Sequence, residues 1–220
     1  MSKILTVKNL TKKYNGIAVI DNISFDVYEG QIIAITGTSG VGKSTLLNII
    51  SSLDTPDNGK VIVNNIDIST LNSNQLAEFR NTQIGFVFQS YNLLQELTVY
   101  ENICLPVMIN KKQEKDIKQR VLDLVDKLNL PSNIIDKYPS EISGGEQQRV
   151  AIIRALINKP KVIFADEPSG CLDNENSLKL HKLFHDLSRD MNQTFIIVTH
   201  DEQLADLSDK KYRLINKKLI

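Results

Sequence analysis

No stretch of this 220-residue sequence holds more than four consecutive apolar residues, far short of the ~20 needed to cross a bilayer as a helix. A helical membrane span is therefore excluded, and any work at a membrane has to pass through a partner. The first ten residues, MSKILTVKNL, run straight into a strand-like pattern without an apolar leader core, so the chain is expected to stay in the cytoplasm. Cysteine is scarce as well. Cys104 and Cys171 stand far apart and lack metal-ligand spacing, which fits reduced thiols and not a disulfide framework or a zinc site. Charge of one sign is missing too: 26 Lys and Arg balance 26 Asp and Glu. No overall basic field argues for nucleic acid as a partner. A chain of this length can bury its own core as one domain, with or without an inserted lobe.

What is present concentrates at Gly37 to Thr45, GTSGVGKST. Apolar Ile32 to Ile35 leads in, and Leu46-Leu47-Asn48-Ile49-Ile50 leads out as the body of a helix. Strand, glycine-rich turn, Lys-Ser and helix follow in the order a phosphate-binding loop requires. Gly37, Gly40 and Gly42 free the backbone to curl, so that successive N–H groups face a phosphate chain. The helix behind them offers its positive end to the same anion. Lys43 brings a mobile charge for the outer phosphates, and Ser44 a hydroxyl suited to Mg²⁺.

Around this loop the pattern reads as α/β. Ile4 to Val7 and Ile23 to Tyr28 read as strands on either side of a turn at Lys12 to Gly16. Asp57-Asn58-Gly59 reads as a turn, and Val61 to Val63 with Ile66 to Ile68 as a hairpin about Asn64-Asn65. Ile84 to Gln89 is a short apolar strand ending on a polar residue. From Ser90 to about Asn158 the chain turns helical. Ile117, Val121, Leu124 and Leu128 make one amphipathic stripe, and the charged run from Lys111 to Arg120 reads as a solvated helix face. Pro131 and Pro139 bracket a loop.

Ser143 and Glu146 have capping-box spacing, so a helix should start at Ser143. Gly144 and Gly145 weaken its first turn by about 1 kcal/mol each relative to alanine, and bare backbone at a helix start is a second anion site. Val162 to Ala165 is a buried strand ending in Asp166 and Glu167, whose strand alternation should point them to opposite sides with different tasks. Leu180, Leu183, Phe184 and Leu187 mark a further helix. Phe195 to Val198 is a strand that delivers His200 to the edge where α/β ligands gather, and Tyr212 to Ile215 closes the chain as a strand.

Taken together, GTSGVGKST, FVFQ, ISGGEQ, VIFADE, SGCLD and VTHD resemble the ATP-binding-cassette ATPases over the whole chain. The wording LTVYENICLP and FADEPSGCLD is similar to the branch that holds lipoprotein-releasing, macrolide-exporting and peptide-exporting ATPases and a cell-division ATPase. The resemblance implies a P-loop NTPase core at about 1–89 and 160–220, a small antiparallel β subdomain, and a helical lobe inserted at about 90–159. It implies ATP and Mg²⁺ as cofactors. Tyr14 is then expected to stack on adenine, and Gly37, Thr38, Ser39, Gly40, Val41, Gly42, Lys43, Ser44 and Thr45 to cradle the phosphates. Ser44, Gln89 and Asp166 are expected at the metal, Glu167 at the attacking water and His200 at the γ-phosphate. Ser143, Gly144, Gly145 and Glu146 would act on the nucleotide of a second copy, with Asp173 in the loop between copies.

The same resemblance implies a homodimer of cassettes on the cytoplasmic face of the inner membrane, held peripherally by integral-membrane permease subunits that contact a groove near Gln89 to Tyr100. Lipoprotein release is the expected task. Export of macrolides or antimicrobial peptides, or mechanical control of cell-wall enzymes, are the alternatives, and a nucleotide-gated module without hydrolysis is disfavoured by Glu167 and His200. Two positions depart from the family pattern: Ile142 stands in place of leucine, a volume-conserving exchange, and Cys171 in place of asparagine.

Overall fold

Runs that are apolar on both faces form the centre of the molecule. The computed structural model describes residues 2–110 and 116–220. In chain order it holds β1 (Lys3–Tyr14), β2 (Ile17–Tyr28), β3 (Ile32–Thr36), α1 (Lys43–Ile50), β4 (Asn58–Val63), β5 (Ile66–Asp67), α2 (Ser73–Thr82) and β6 (Ile84–Val87). Then come α3 (Val99–Asn110), α4 (Ile117–Lys127), α5 (Gly144–Leu156) and β7 (Val162–Asp166). The chain ends with α6 (Asn174–Met191), β8 (Thr194–Val198), α7 (Glu202–Asp206), β9 (Lys210–Ile215) and β10 (Lys218–Leu219).

A six-stranded sheet has the order β10-β9-β3-β8-β7-β6. Its pairs from β9 to β6 are parallel, and β10 alone returns antiparallel. All of β3 and β8 is buried, as continuous apolar strands in a sheet covered on both faces must be. Ile35 and Asp166 both pair with Val198, so β3, β8 and β7 end level with one another. That level edge is where the sheet's loops converge.

The second sheet, β2-β1-β4-β5, is antiparallel. The expected turn at Lys12 to Gly16 shrinks to Asn15-Gly16, with φ of 52° and 79°, the pair of left-handed residues that matches strand twist in a tight hairpin. Lys12 and Tyr14 therefore belong to β1. The expected turn at Asp57-Asn58-Gly59 is corrected in the same way, since Asn58 and Gly59 open β4. The hairpin about Asn64-Asn65 is present, with φ of 49° and 63°.

Two apolar clusters sandwich the parallel sheet. One joins α1 and the antiparallel sheet to Ile33, Phe164 and Ile196; the other joins α3, α4 and α5 to Val87, Ile163 and Phe195. Val121, Leu124 and Leu128 are buried in the latter, with Ile117 packed against it, which is the expected stripe of α4. Of the charged run at 111–120, residues 111–115 lie outside the described residues. Among the described residues no helix is long and apolar enough to cross a membrane.

Candidate active site

The site begins where β3 stops. α1 starts at Lys43 behind Gly42, whose φ is 110° and which offers no side-chain cap. The first-turn amides of an α-helix have no intrahelical acceptor, so here they are left for an anion. Gly42 is required: a Cβ there would lie 2.9 Å from Val19 Cγ1 and 3.2 Å from the Val19 carbonyl, at a φ that L residues avoid. Lys43 is buried and bends back over the loop. Its Nζ donates to the carbonyls of Gly37 at 3.0 Å and Thr38 at 3.4 Å, and lies 3.7 Å from Glu167 Oε1.

The tips of β7 and β8 bring up the acid and the histidine. Ser44 Oγ donates to Asp166 Oδ1 at 3.2 Å. Burial, reinforced by the neighbouring Glu167 charge, raises the Asp166 pKa against the pull of Ser44 and Lys43. Glu167 has left the strand, with φ of 46°, so strand alternation does not set its direction and the expectation built on alternation is corrected. A left-handed non-glycine residue costs about 1–2 kcal/mol. Here the turn is held by Glu167 N–H donating to the Val198 carbonyl at 2.8 Å and by Gly170 N–H donating to the Glu167 carbonyl at 3.0 Å. Glu167 Oε2 accepts from the His200 amide at 3.0 Å and lies 2.8 Å from His200 Nδ1.

A cleft of about 770 Å³ opens over these groups. It is lined by Tyr14 and Val19, by Ser39, Gly40, Gly42, Lys43, Ser44 and Thr45 of the loop and first helical turn, and by Gln89, Glu167 and His200. Gly37 and Thr38 hold the Lys43 ammonium, and Val41 packs beside Gly37. Asp166 enters through Ser44. Among the described residues no group of three His, Cys, Asp or Glu is poised for a metal. The Ser44–Asp166 pair with Gln89 is instead a set of hard oxygen donors, the kind that suits Mg²⁺ when substrate phosphates supply further oxygens.

Ser143, Gly144, Gly145 and Glu146 do not line this cleft. Ser143 caps α5 as expected: its Oγ accepts from the Glu146 amide at 3.3 Å, and Glu146 Oε2 accepts from the Ser143 amide and hydroxyl, each at 2.7 Å. Those bonds lower the Glu146 pKa. Asp173 caps α6, its carboxylate accepting from the Asn176 amide at 2.8 Å and the Asn176 Nδ2 at 2.9 Å. A Cβ on Gly145 would lie 3.3 Å from Asn176 Oδ1, so the two helix starts press together. Ser143–Glu146 and Asp173 thus sit at one junction outside the cleft.

Further side chains outside the phosphate loop support these groups. Val19 lines the cleft, and Asp54 stands behind Tyr14, whose hydroxyl donates to Asp54 Oδ2 at 2.6 Å. Behind His200, Asp201 accepts from Ser169 Oγ at 3.2 Å and from the amides of Gln203 and Leu204 at 3.0 and 3.2 Å. Downstream of Gln89, Arg154 on α5 donates to the carbonyls of Tyr91 and Asn92, each at 2.6 Å. Asn102, fully buried on α3, accepts from the Leu94 amide at 2.8 Å and donates to the carbonyls of Leu94, Leu97 and Thr98 at 3.0 Å. Gln89 is exposed, whereas the segment after it is riveted to the helices. The Tyr14–Asp54, Ser169–Asp201 and Arg154 contacts join residues that only the fold brings together, whereas the Asp201 cap and the Asn102 bonds are made within a few positions along the chain.

The family model described as "ABC transporter" matches residues 20–170. The lipoprotein-releasing system ATP-binding protein LolD of Cytophaga hutchinsonii is 50% identical over 211 residues, covering 96% of this chain and 96% of its own length. The protein of the same name from Bacteroides fragilis is 42% identical over 217 residues, covering 99% of this chain and 100% of itself. Among solved structures, the dimeric bacterial ABC transporter cassette MJ0796 superposes with a TM-score of 0.88 at 36% identity, covering 98% of this chain and 96% of that one. A second structure of that cassette is a dimer after hydrolysis, bound to ADP and Pi, with a TM-score of 0.88 at 35% identity and the same coverage.

Proposed function

Because the chain belongs to the ABC transporter family, we propose that it is the ATP-hydrolysing subunit of a lipoprotein-releasing transporter and that its cleft residues act as follows. It is an ATPase of that family. The observation that carries the assignment of roles is the convergence of Lys43, Ser44, Glu167 and His200 on one cleft at the level ends of β3, β7 and β8. The α1 amides and Lys43 hold the phosphates, and the Tyr14 ring takes the adenine. Ser44, Gln89 and Asp166 hold Mg²⁺, which neutralises charge developing on the transferred phosphoryl group. Phosphoryl transfer is mostly a matter of positioning and charge stabilisation. Glu167 polarises the attacking water and accepts its proton, and His200 contacts the γ-phosphate. The phosphates of a bound nucleotide would compete with the Gly37 and Thr38 carbonyls and with Glu167 for the Lys43 ammonium.

The Ser143–Glu146 start of α5 lies outside the cleft, so one chain leaves the γ-phosphate half-enclosed. We read the working unit as a head-to-tail homodimer, in which Ser143 to Glu146 of each copy, with Asp173 beside them, close over the nucleotide of the other. The similar cassette MJ0796 is described as dimeric, which supports a dimer as the working unit. The groove near Gln89 to Tyr100, with Leu94 exposed, takes the membrane permease subunits, which hold the dimer peripherally at the cytoplasmic face of the inner membrane. Division into a nucleotide core at about 1–89 and 160–220 and a lobe at about 90–159 lets the lobe move with the permease.

Lys43→Ala tests the cradle: ATP binding should be lost, and tight binding would refute it. Co-purification from membranes tests the task. A partner with a large periplasmic domain and lipoprotein cross-links supports release; a cell-wall hydrolase activator or a macrolide exporter subunit overturns it.

A further inference from the structure

Tyr14 ends β1 with half its surface exposed, 46% by area. A tyrosine so placed turns freely about its side-chain bonds unless something holds it, and ordering it at each binding event would weaken affinity. Here something does. The hydroxyl donates to Asp54 Oδ2 at 2.6 Å, and the other carboxylate oxygen, Oδ1, accepts from Lys12 Nζ at 2.9 Å and from the Thr55 amide at 2.6 Å. Lys12 is buried, donates also to the Thr55 carbonyl at 2.6 Å, and its ammonium lies 5.0 Å from the Tyr14 ring centroid. The ring is thereby fixed at its edge by Asp54 and attended by a cation, while it still lines the cleft.

The placement of Asp54 gives this contact its meaning. It follows the helix that cradles the phosphates, and the amides of Leu53 and Asp54 both donate to the Asn48 carbonyl of α1, at 2.7 and 3.1 Å. Asp54 is therefore a short bridge from the phosphate end of the cleft to the aromatic end. We propose that Asp54 is a positioning residue for the nucleotide: with Lys12 balancing its charge, it locks the Tyr14 ring at a set height above the phosphate loop, so that base and phosphates are met by one preformed surface. The inference rests on the reading of Tyr14 as the adenine platform.

Isothermal titration of the full-length chain with Mg-ATP, and separately with Mg-tripolyphosphate, which has no base, tests it. Asp54→Ala and Tyr14→Phe should each weaken ATP binding about five- to tenfold, the loss expected when one side chain must be ordered on binding. The double variant should be no weaker than either single one, because both cut the same bond. Tripolyphosphate affinity should stay within about twofold throughout. Equal loss for ATP and tripolyphosphate would mean that Asp54 only supports the loop, and would overturn the proposal. ATP affinity unmoved in Asp54→Ala and Tyr14→Phe, but lost in Tyr14→Ala, would overturn it while sparing the platform reading. Unmoved affinity in Tyr14→Ala would remove the platform and the proposal together. Should Asp54→Ala fold poorly, Tyr14→Phe reads the same bond with the carboxylate in place.

Discussion

Replacing Arg154 by methionine removes one side chain that holds two consecutive carbonyls. Its guanidinium donates to Tyr91 and Asn92, each at 2.6 Å, and those residues have φ of 59° and 50°. Burial lowers the Arg154 pKa, yet a guanidinium remains charged, so both bonds are charge-assisted. Such bonds contribute about 1.5–3 kcal/mol each, and water replaces part of that at the partly open site. We expect a net loss of about 2–4 kcal/mol, or roughly 2–4 °C of melting temperature for each kcal/mol at this size. Arg154→Lys keeps the charge but reaches one carbonyl, and should lose about half as much. Urea unfolding gives the size of the effect, and hydrogen exchange at the Leu93 and Leu94 amides gives its place. A methionine variant within about 0.5 kcal/mol of the parent, the range of an ordinary surface change, would refute the reasoning.

Two further outcomes follow from the loop and the metal-side acid. Gly42→Ala meets Val19 and an unfavourable φ at once, and should cost about 2–3 kcal/mol in urea with ATP binding impaired. Gly40→Ala, at φ of 75° with open space around it, should cost only about 1 kcal/mol by the same measurement. Asp166 has a raised pKa in the fold, so its ionised form opposes folding above that pKa and the penalty fades as pH falls through it. Asp166→Asn should accordingly melt higher than the parent at neutral pH without nucleotide, and the difference should shrink in acid, while Mg²⁺-dependent turnover is lost. Calorimetry across pH checks the first, and a phosphate-release assay the second.

The residues whose role is set within a few positions of themselves were legible from sequence. The phosphate loop, the Ser143 cap and the apolar stripe of α4 each carry a local spacing that their geometry requires. Strand alternation does not give the direction of Glu167, because a left-handed turn held by the Val198 carbonyl overrides it. The full length of the β1–β2 hairpin is hidden in sequence because its register shifts several times, which breaks the period-two pattern of a regular strand. Helix α2 carries an Asn72–Gln75 capping box, but Phe79 is its one buried apolar residue, so it shows little periodicity in sequence. Asp54, through Tyr14, and Arg154 act across distances in sequence for which no spacing rule exists.

The central claim is that Glu167 serves hydrolysis while other groups bind ATP. Steady-state turnover and ATP-dependent dimerisation of Glu167→Gln, measured side by side with the parent chain, test it most directly. Losing a general base lowers the rate about 10²- to 10⁴-fold, on the order of 3–5 kcal/mol of barrier. The variant should therefore bind Mg-ATP, run as a dimer on gel filtration and release almost no phosphate. Parental turnover by Glu167→Gln, or failure to dimerise with ATP bound, would contradict the account.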